Sequence, residues 1–209
     1  MAQAQSLTIE SASVRHAGSI GLLAAEISAA CDEQPDTMRQ RIRAALARAA
    51  AIPQLLHPDQ RVPQADCYAR HILYSDPAGR FTILAIAWGA GQFSPPHAHH
   101  TWCAYAVCEN TLEETVFAWN AATGRAEQVR TETRPAGYCW FSGAGLDQIH
   151  RLGNSGPDCA ISIHVYGVER ERVATHVNRK VDVSPEKGTG LESDDESTGA
   201  AAPWGAAGR

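Results

Sequence analysis

The sequence predicts a mainly β protein, a sandwich or barrel of short strands, with a helical pair ahead of it and a disordered tail behind. Three observations lead there. Apolar residues at helical spacing are confined to about residues 17–56. Short β-branched and aromatic runs, separated by turn residues, then fill about 66–183. From Asp182 onward the composition shifts to glycine, serine, acidic residues and alanine, which together bury almost no apolar surface. We therefore divide the chain into a helical segment (1–62), a core (63–182) and a tail (183–209).

In the first segment Ile20, Leu23 and Ile27 recur at three and four residues, and Met38, Ile42, Leu46 and Ala49 repeat the pattern. Two amphipathic helices follow, joined near Asp32–Pro35, with Asp36 or Thr37 as a cap and Pro53 as a stop. Their apolar faces need a sheet to cover. The core supplies one: "RFTILAIAW", "ETVFAW", "YCWF" and "CAISIHVYG" are strand-like runs bounded by "GAGQFSPP", "NAATGR" and "SGAG". Strands this short and closely spaced favour a sandwich or barrel over βαβ units. In the tail, Trp204 is an aromatic in an otherwise polar stretch, expected to be exposed.

Bulk properties narrow the function. The chain has 209 residues, 44% hydrophobic and 20% charged, which suits one soluble domain with appendages. A net charge of −5, with basic residues scattered, argues against a nucleic-acid partner. No apolar run reaches the roughly 18 residues of a membrane span, and the amino terminus lacks a basic-then-apolar leader. The six cysteines (31, 67, 103, 108, 139, 159) form no CxxC pair, so free thiols in a reducing cytoplasm are expected. A monomer or small homo-oligomer fits these bounds.

The stretch "SPPHAHHTW" holds three of the nine histidines. On a strand His97 and His99 share a face and His100 opposes them. Two neutral imidazoles on one face suit iron, zinc, copper or nickel, although HxH alone is a weak signal. Ser162, His164 and Tyr166 are likewise two apart and share a face, while Ile161, Ile163 and Val165 take the other. Tyr68 and Arg70 share a face of an earlier strand. His16, His57, His71 and His176 have no such company and are expected to play ordinary roles.

Gly91, five residues, then His97-Ala98-His99 resembles the first motif of the cupin superfamily, and His150-Arg-Leu-Gly-Asn154 resembles the second. That resemblance implies a small jelly-roll barrel, the cupin fold, with His150 delivered to the metal from the opposite sheet. Many cupins add a glutamate four or five residues after the second histidine. Here those positions are Cys103 and Ala104, which leaves three neutral ligands and open coordination positions for a chelating substrate and dioxygen.

From about Cys67 to Gly167 the chain resembles the cysteine dioxygenase family. "YARHILYSDPAGRFTILAIAWGAGQ", "HAH", "IHRLGN" and "SIHVYG" carry the likeness. It implies an Fe(2+) centre on His97, His99 and His150, with Ser162, His164 and Tyr166 as a hydrogen-bonded catalytic relay. It implies also that Arg70 and Tyr68 bind substrate, a small thiol consumed with O2. Arginine at position 70 goes with cysteine as substrate, giving cysteine sulfinate, and glutamine with 3-mercaptopropionate. Three departures bear on the substrate. Ala98 stands where the family has an acidic residue, and Glu109-Asn110 where the cupin motif turns at glycine. "HAHHTW" resembles the mercaptopropionate branch as closely. Mercaptopropionate, mercaptosuccinate or another small carboxylated thiol are the alternatives. A non-catalytic metal- or ligand-binding cupin, a cupin isomerase and a zinc hydrolase are the alternatives of other classes. Animal members imply a thioether crosslink for which Cys103 and Tyr166 are the candidates, with a plain buried Cys103 the expected state.

Overall fold

The computed structural model describes residues 18–185. Residues 18–30 form helix α1, and α2 spans Pro35–Ala50. Neither Asp36 nor Thr37 caps α2. Gln34 holds the N-cap position without a side-chain cap bond, and Pro35 opens the helix. Proline suits that position because it has no N–H to leave unpaired and its φ is already helical. Asp36 instead lies in the first turn, facing the positive end of the helix dipole. A short 3-10 turn at Pro58–Arg61 is capped by the His57 side chain, the ordinary role expected of that histidine.

Ten strands follow: β1 (Ala69–Ser75), β2 (Thr82–Trp88), β3 (His97–His99), β4 (Cys103–Glu109), β5 (Thr111–Asn120), β6 (Arg125–Pro135), β7 (Cys139–Ser142), β8 (Gly145–Gly153), β9 (Ala160–Tyr166) and β10 (Asn178–Lys180). They form two five-stranded antiparallel sheets, ordered β1-β2-β9-β4-β7 and β10-β3-β8-β5-β6. All four strand-like runs read from the sequence are strands. The long β6, "RAEQVRTETRP", is one the pattern missed, since an edge strand with both faces largely polar offers no apolar alternation.

Strand parity builds the core in layers. On β9, Ile161, Ile163 and Val165 face outward, where they meet Ile27, Ile42 and Leu46 of the helices. Ala85, Ala87, Ala104 and Ala106 share that outer layer, and their small side chains let the helices lie close to the sheet. Each large aliphatic side chain buried there contributes about 1.5–3 kcal/mol. Arg80 ties the layers together: its guanidinium pairs with Asp76 at 2.8 Å and Asp32 at 3.1 Å and donates to the Ser28 hydroxyl.

Turns are set by a few positions. Gly91 takes a left-handed φ of 72° and starts the bend into β3. Asn110, where the cupin motif would carry glycine, adopts φ 58° between β4 and β5 and donates to the Cys159 carbonyl. Asparagine tolerates that conformation better than other non-glycine residues. At Gly167 an added Cβ would lie 2.1 Å from Trp102 Nε1, so only glycine lets that indole stack on Phe141. Val183 and Ser184, placed in the tail by composition, are tied to Ala126 by a bridge and a 2.9 Å hydrogen bond. The remainder of the expected tail, with Trp204, and His16 lie outside the described residues. No described helix is long and apolar enough to cross a membrane.

Candidate metal centre and its surroundings

The two sheets enclose a cavity of about 20 Å³. Into it β3 presents His97 and His99, and β8 presents His150. Their ligand atoms lie within 4.8 Å of one another, and all three side chains are buried. His97 and His150 are direct partners across neighbouring antiparallel strands. His150 therefore comes from the same sheet as the first two histidines, not from the opposite one. The register explains it: the cupin motifs are adjacent in the sheet although about fifty residues apart in the chain. His100, on the other face, is exposed and hydrogen-bonds through its backbone only to the Val177 carbonyl among the described residues.

The ring nitrogens of two of these histidines are already sorted. His97 Nδ1 is 2.8 Å from the Pro95 carbonyl, and His150 Nδ1 is 2.7 Å from Glu114 Oε1. Both partners are acceptors, so Nδ1 carries the proton and Nε2 keeps its lone pair. His99 Nδ1 is buried with no hydrogen-bond partner among the described residues. Burial, reinforced by the neighbouring His150, pulls His97 down to about 3 and holds His99 well below the usual histidine range. Three imidazole donors, with His97 and His99 held neutral by burial, fit a divalent transition metal such as iron(II) or zinc. Trp140 stacks on the His150 ring at 5.0 Å and keeps that flank dry.

The opposite wall comes from the inner face of β1, β2, β4 and β9. Trp88 Nε1 donates to Ser162 Oγ at 2.9 Å, Ser162 Oγ lies 2.8 Å from His164 Nε2, and His164 Nδ1 lies 3.2 Å from the Tyr166 hydroxyl. The alternation on β9 thus brings Ser162, His164 and Tyr166 into one line, and Trp88 extends it, a member the sequence reading missed. Its signal was available, because Trp88 and Ser162 sit on adjacent strands with inward parity, but only the sheet order reveals adjacency. His164 is held well below its usual range by burial, with His150 and Arg70 adding to the effect, so it stays neutral. Burial, with Cys103 nearby, raises the Tyr166 phenol, and Arg70 opposes the rise.

Arg70, half-buried on β1, and Tyr68, just before it, line the same cavity, as does Cys103. Tyr68 packs on Trp88 with ring centroids 4.4 Å apart. Cys103 stands directly opposite Tyr166 in the β4–β9 register, which settles their relative placement. A neighbouring cleft of about 320 Å³ shares Arg70 and Asn178 with the cavity and is lined also by Thr175 and Lys180. Of the residues singled out from the sequence for this site, all but Ser162 line this one cavity, and Ser162 sits behind His164.

A double-sheet barrel with three buried histidines brought together inside it defines a cupin with a candidate metal centre. Residues 63–176, more than half of the chain, match the family model for cysteine dioxygenase type I, and the chain belongs to that family. It is 31% identical over 94 residues to human cysteine dioxygenase type 1, covering 42% of this chain and 45% of that protein. The corresponding bovine protein is 30% identical over 94 residues with the same coverage. The match thus spans a little under half the length of these curated relatives. Among solved structures, the fold is similar to a protein of Thermus thermophilus, at 15% identity over 56% of this chain and 98% of that one, with a TM-score of 0.43. It is also similar to a Klebsiella pneumoniae protein with a double-stranded β-helix domain, at 18% identity over 57% and 93% of the two chains, with a TM-score of 0.43. These two likenesses carry none of the functional argument.

Proposed function

We propose that the protein is a non-haem iron(II) thiol dioxygenase that oxidises L-cysteine with dioxygen to cysteine sulfinic acid in the cytoplasm. The observation that carries this reading is one cavity in which three buried histidines face Arg70 and the Tyr166 end of a four-residue hydrogen-bond line. His97, His99 and His150 would hold the iron. When bound, the ion supplies the charge that stabilises a substrate thiolate and the redox centre needed for dioxygen. The reaction balances without a further reductant: sulfur gives up four electrons, and both oxygen atoms end on it.

The chain's own residues orient the partners. Arg70 offers a guanidinium fork to the substrate carboxylate. The indole N–H of Trp88 can only donate, so Ser162 Oγ accepts from it and turns its own proton to His164 Nε2. Neutral His164 then carries its proton on Nδ1 and donates to the Tyr166 oxygen. The phenolic proton of Tyr166 is left to point into the cavity, where it stabilises negative charge on substrate or oxygen. Tyr68 and Trp88 pack together as part of this wall and exclude water.

Arg70 would clamp any short thiol bearing a carboxylate, so 3-mercaptopropionate and mercaptosuccinate belong in the same test. Iron-loaded protein is supplied with each thiol in an oxygen electrode, and the sulfinate product is measured. The expected result is oxygen uptake matched one-to-one by cysteine sulfinate, and its loss in His150→Ala. Full activity in His150→Ala, or no uptake with any thiol, refutes the reading.

A further inference from the structure

Behind the histidine trio lies a row of charges that the mechanism above does not use. Glu114 on β5 is buried, its side chain 2% exposed. Its Oε1 meets His150 Nδ1 at 2.7 Å, and its Oε2 meets Arg134 Nε at 2.7 Å. Arg134 also donates through Nη2 to Glu132, which pairs in turn with Arg130. Arg130, Glu132 and Arg134 are alternate residues of β6 and share one face of it. In the β5–β6 register Glu114 stands directly opposite Glu132, a like-charge pairing that weakens a sheet unless a cation bridges it. The fork of Arg134 is that bridge.

Folding alone does not call for this arrangement. Leu112 and Leu152, both buried, flank Glu114 on the same inner face, and an apolar residue there would fill the space. Burying an ion pair in place of such a residue is often neutral or unfavourable to stability. The three histidines also differ in their support: His97 donates to a neutral carbonyl, His150 to a carboxylate, and His99 Nδ1 has no described partner.

We infer that Glu114, anchored by Arg134, is a positioning residue of the metal centre: it fixes the His150 Nδ1–H tautomer and makes His150 the strongest donor of the three. This rests on the reading of the trio as a metal site, but not on the identity of the substrate. A carboxylate behind an imidazole ligand orients the ring, raises its basicity and typically governs metal affinity by 10–100-fold.

Cobalt(II) affinity, measured by competition with a chelator, tests it without any turnover. Wild type should bind one ion, Glu114→Ala should bind about 10–100-fold more weakly, and Glu114→Gln, which keeps an acceptor but no charge, should fall between. Glu113→Gln, on the other face of β5, should match wild type. Wild-type affinity in both Glu114 variants overturns the inference. If the wild type takes up no ion, the metal reading itself falls, a different result. Should the variants not fold, ¹⁵N shifts of His150 in the metal-free wild type decide: the proton must reside on Nδ1, and an Nε2–H tautomer refutes the role.

Discussion

Mild acid should destabilise the metal-free protein, and three buried imidazoles set how steeply. His97, His99 and His164 are all held below the ordinary histidine range, chiefly by burial, and His97 to about 3. In the unfolded chain each would take a proton near pH 6.5. Below that pH the unfolded state binds protons that the folded state refuses, so stability falls as pH falls. At pH 5.5, one unit below the unfolded value, each histidine costs about 1.4 kcal/mol, and the three together about 4 kcal/mol relative to pH 7.5. That is a large part of the 5–15 kcal/mol typical of a domain. Asp76 and Glu114 do not blur the window. Their carboxyls are held low by hydrogen bonds to Arg80 and to His150 and Arg134, against the desolvation of burial. The stability they contribute is present above the unfolded carboxylate range near 4 and is lost only below it. Urea unfolding of the metal-free protein, followed by tryptophan fluorescence at pH 7.5, 6.5 and 5.5, measures the loss. A change under about 1 kcal/mol across that range would refute the reasoning, because the imidazoles would then be reaching water. His164→Phe should remove about a third of the loss.

Two further outcomes follow from the inner wall. Trp88→Phe keeps a ring against Tyr68 but removes the donor to Ser162, so His164 should lose its single tautomer in ¹⁵N spectra, and kcat/KM should fall about 5-fold, the worth of one hydrogen bond of about 1 kcal/mol. An unchanged tautomer would mean that Trp88 does not set the direction of the line. The face-to-face placement of Cys103 and Tyr166 permits a thioether, which intact-mass measurement of protein cycled with iron, cysteine and oxygen would reveal as a species two hydrogens lighter that survives reduction. Burial raises the Cys103 thiol, which disfavours the thiolate, so the expected result is the unmodified mass, and a lighter species would overturn that expectation.

Much of the site was legible because its residues recur at the period of a strand. His97 with His99, Ser162 with His164 and Tyr166, and Tyr68 with Arg70 each share a face by parity alone, and parity equally excluded His100. The helices were legible from apolar spacing, though the start of α2 was not, because Pro35 competes with Asp36 and Thr37 for the same signal. The polar strand β6 was illegible as a strand, yet "VRTETR" carries a period-two alternation of Arg130, Glu132 and Arg134 that could have marked it.

By itself the sequence determined which side chains could face together along each strand, since alternation is a property of the local backbone. Which strands lie side by side is a property of the whole sheet, set by long-range pairing and packing. Only the tertiary structure could put His150 beside His97 in one sheet, Trp88 behind Ser162, Cys103 against Tyr166, and Glu114 between His150 and Arg134.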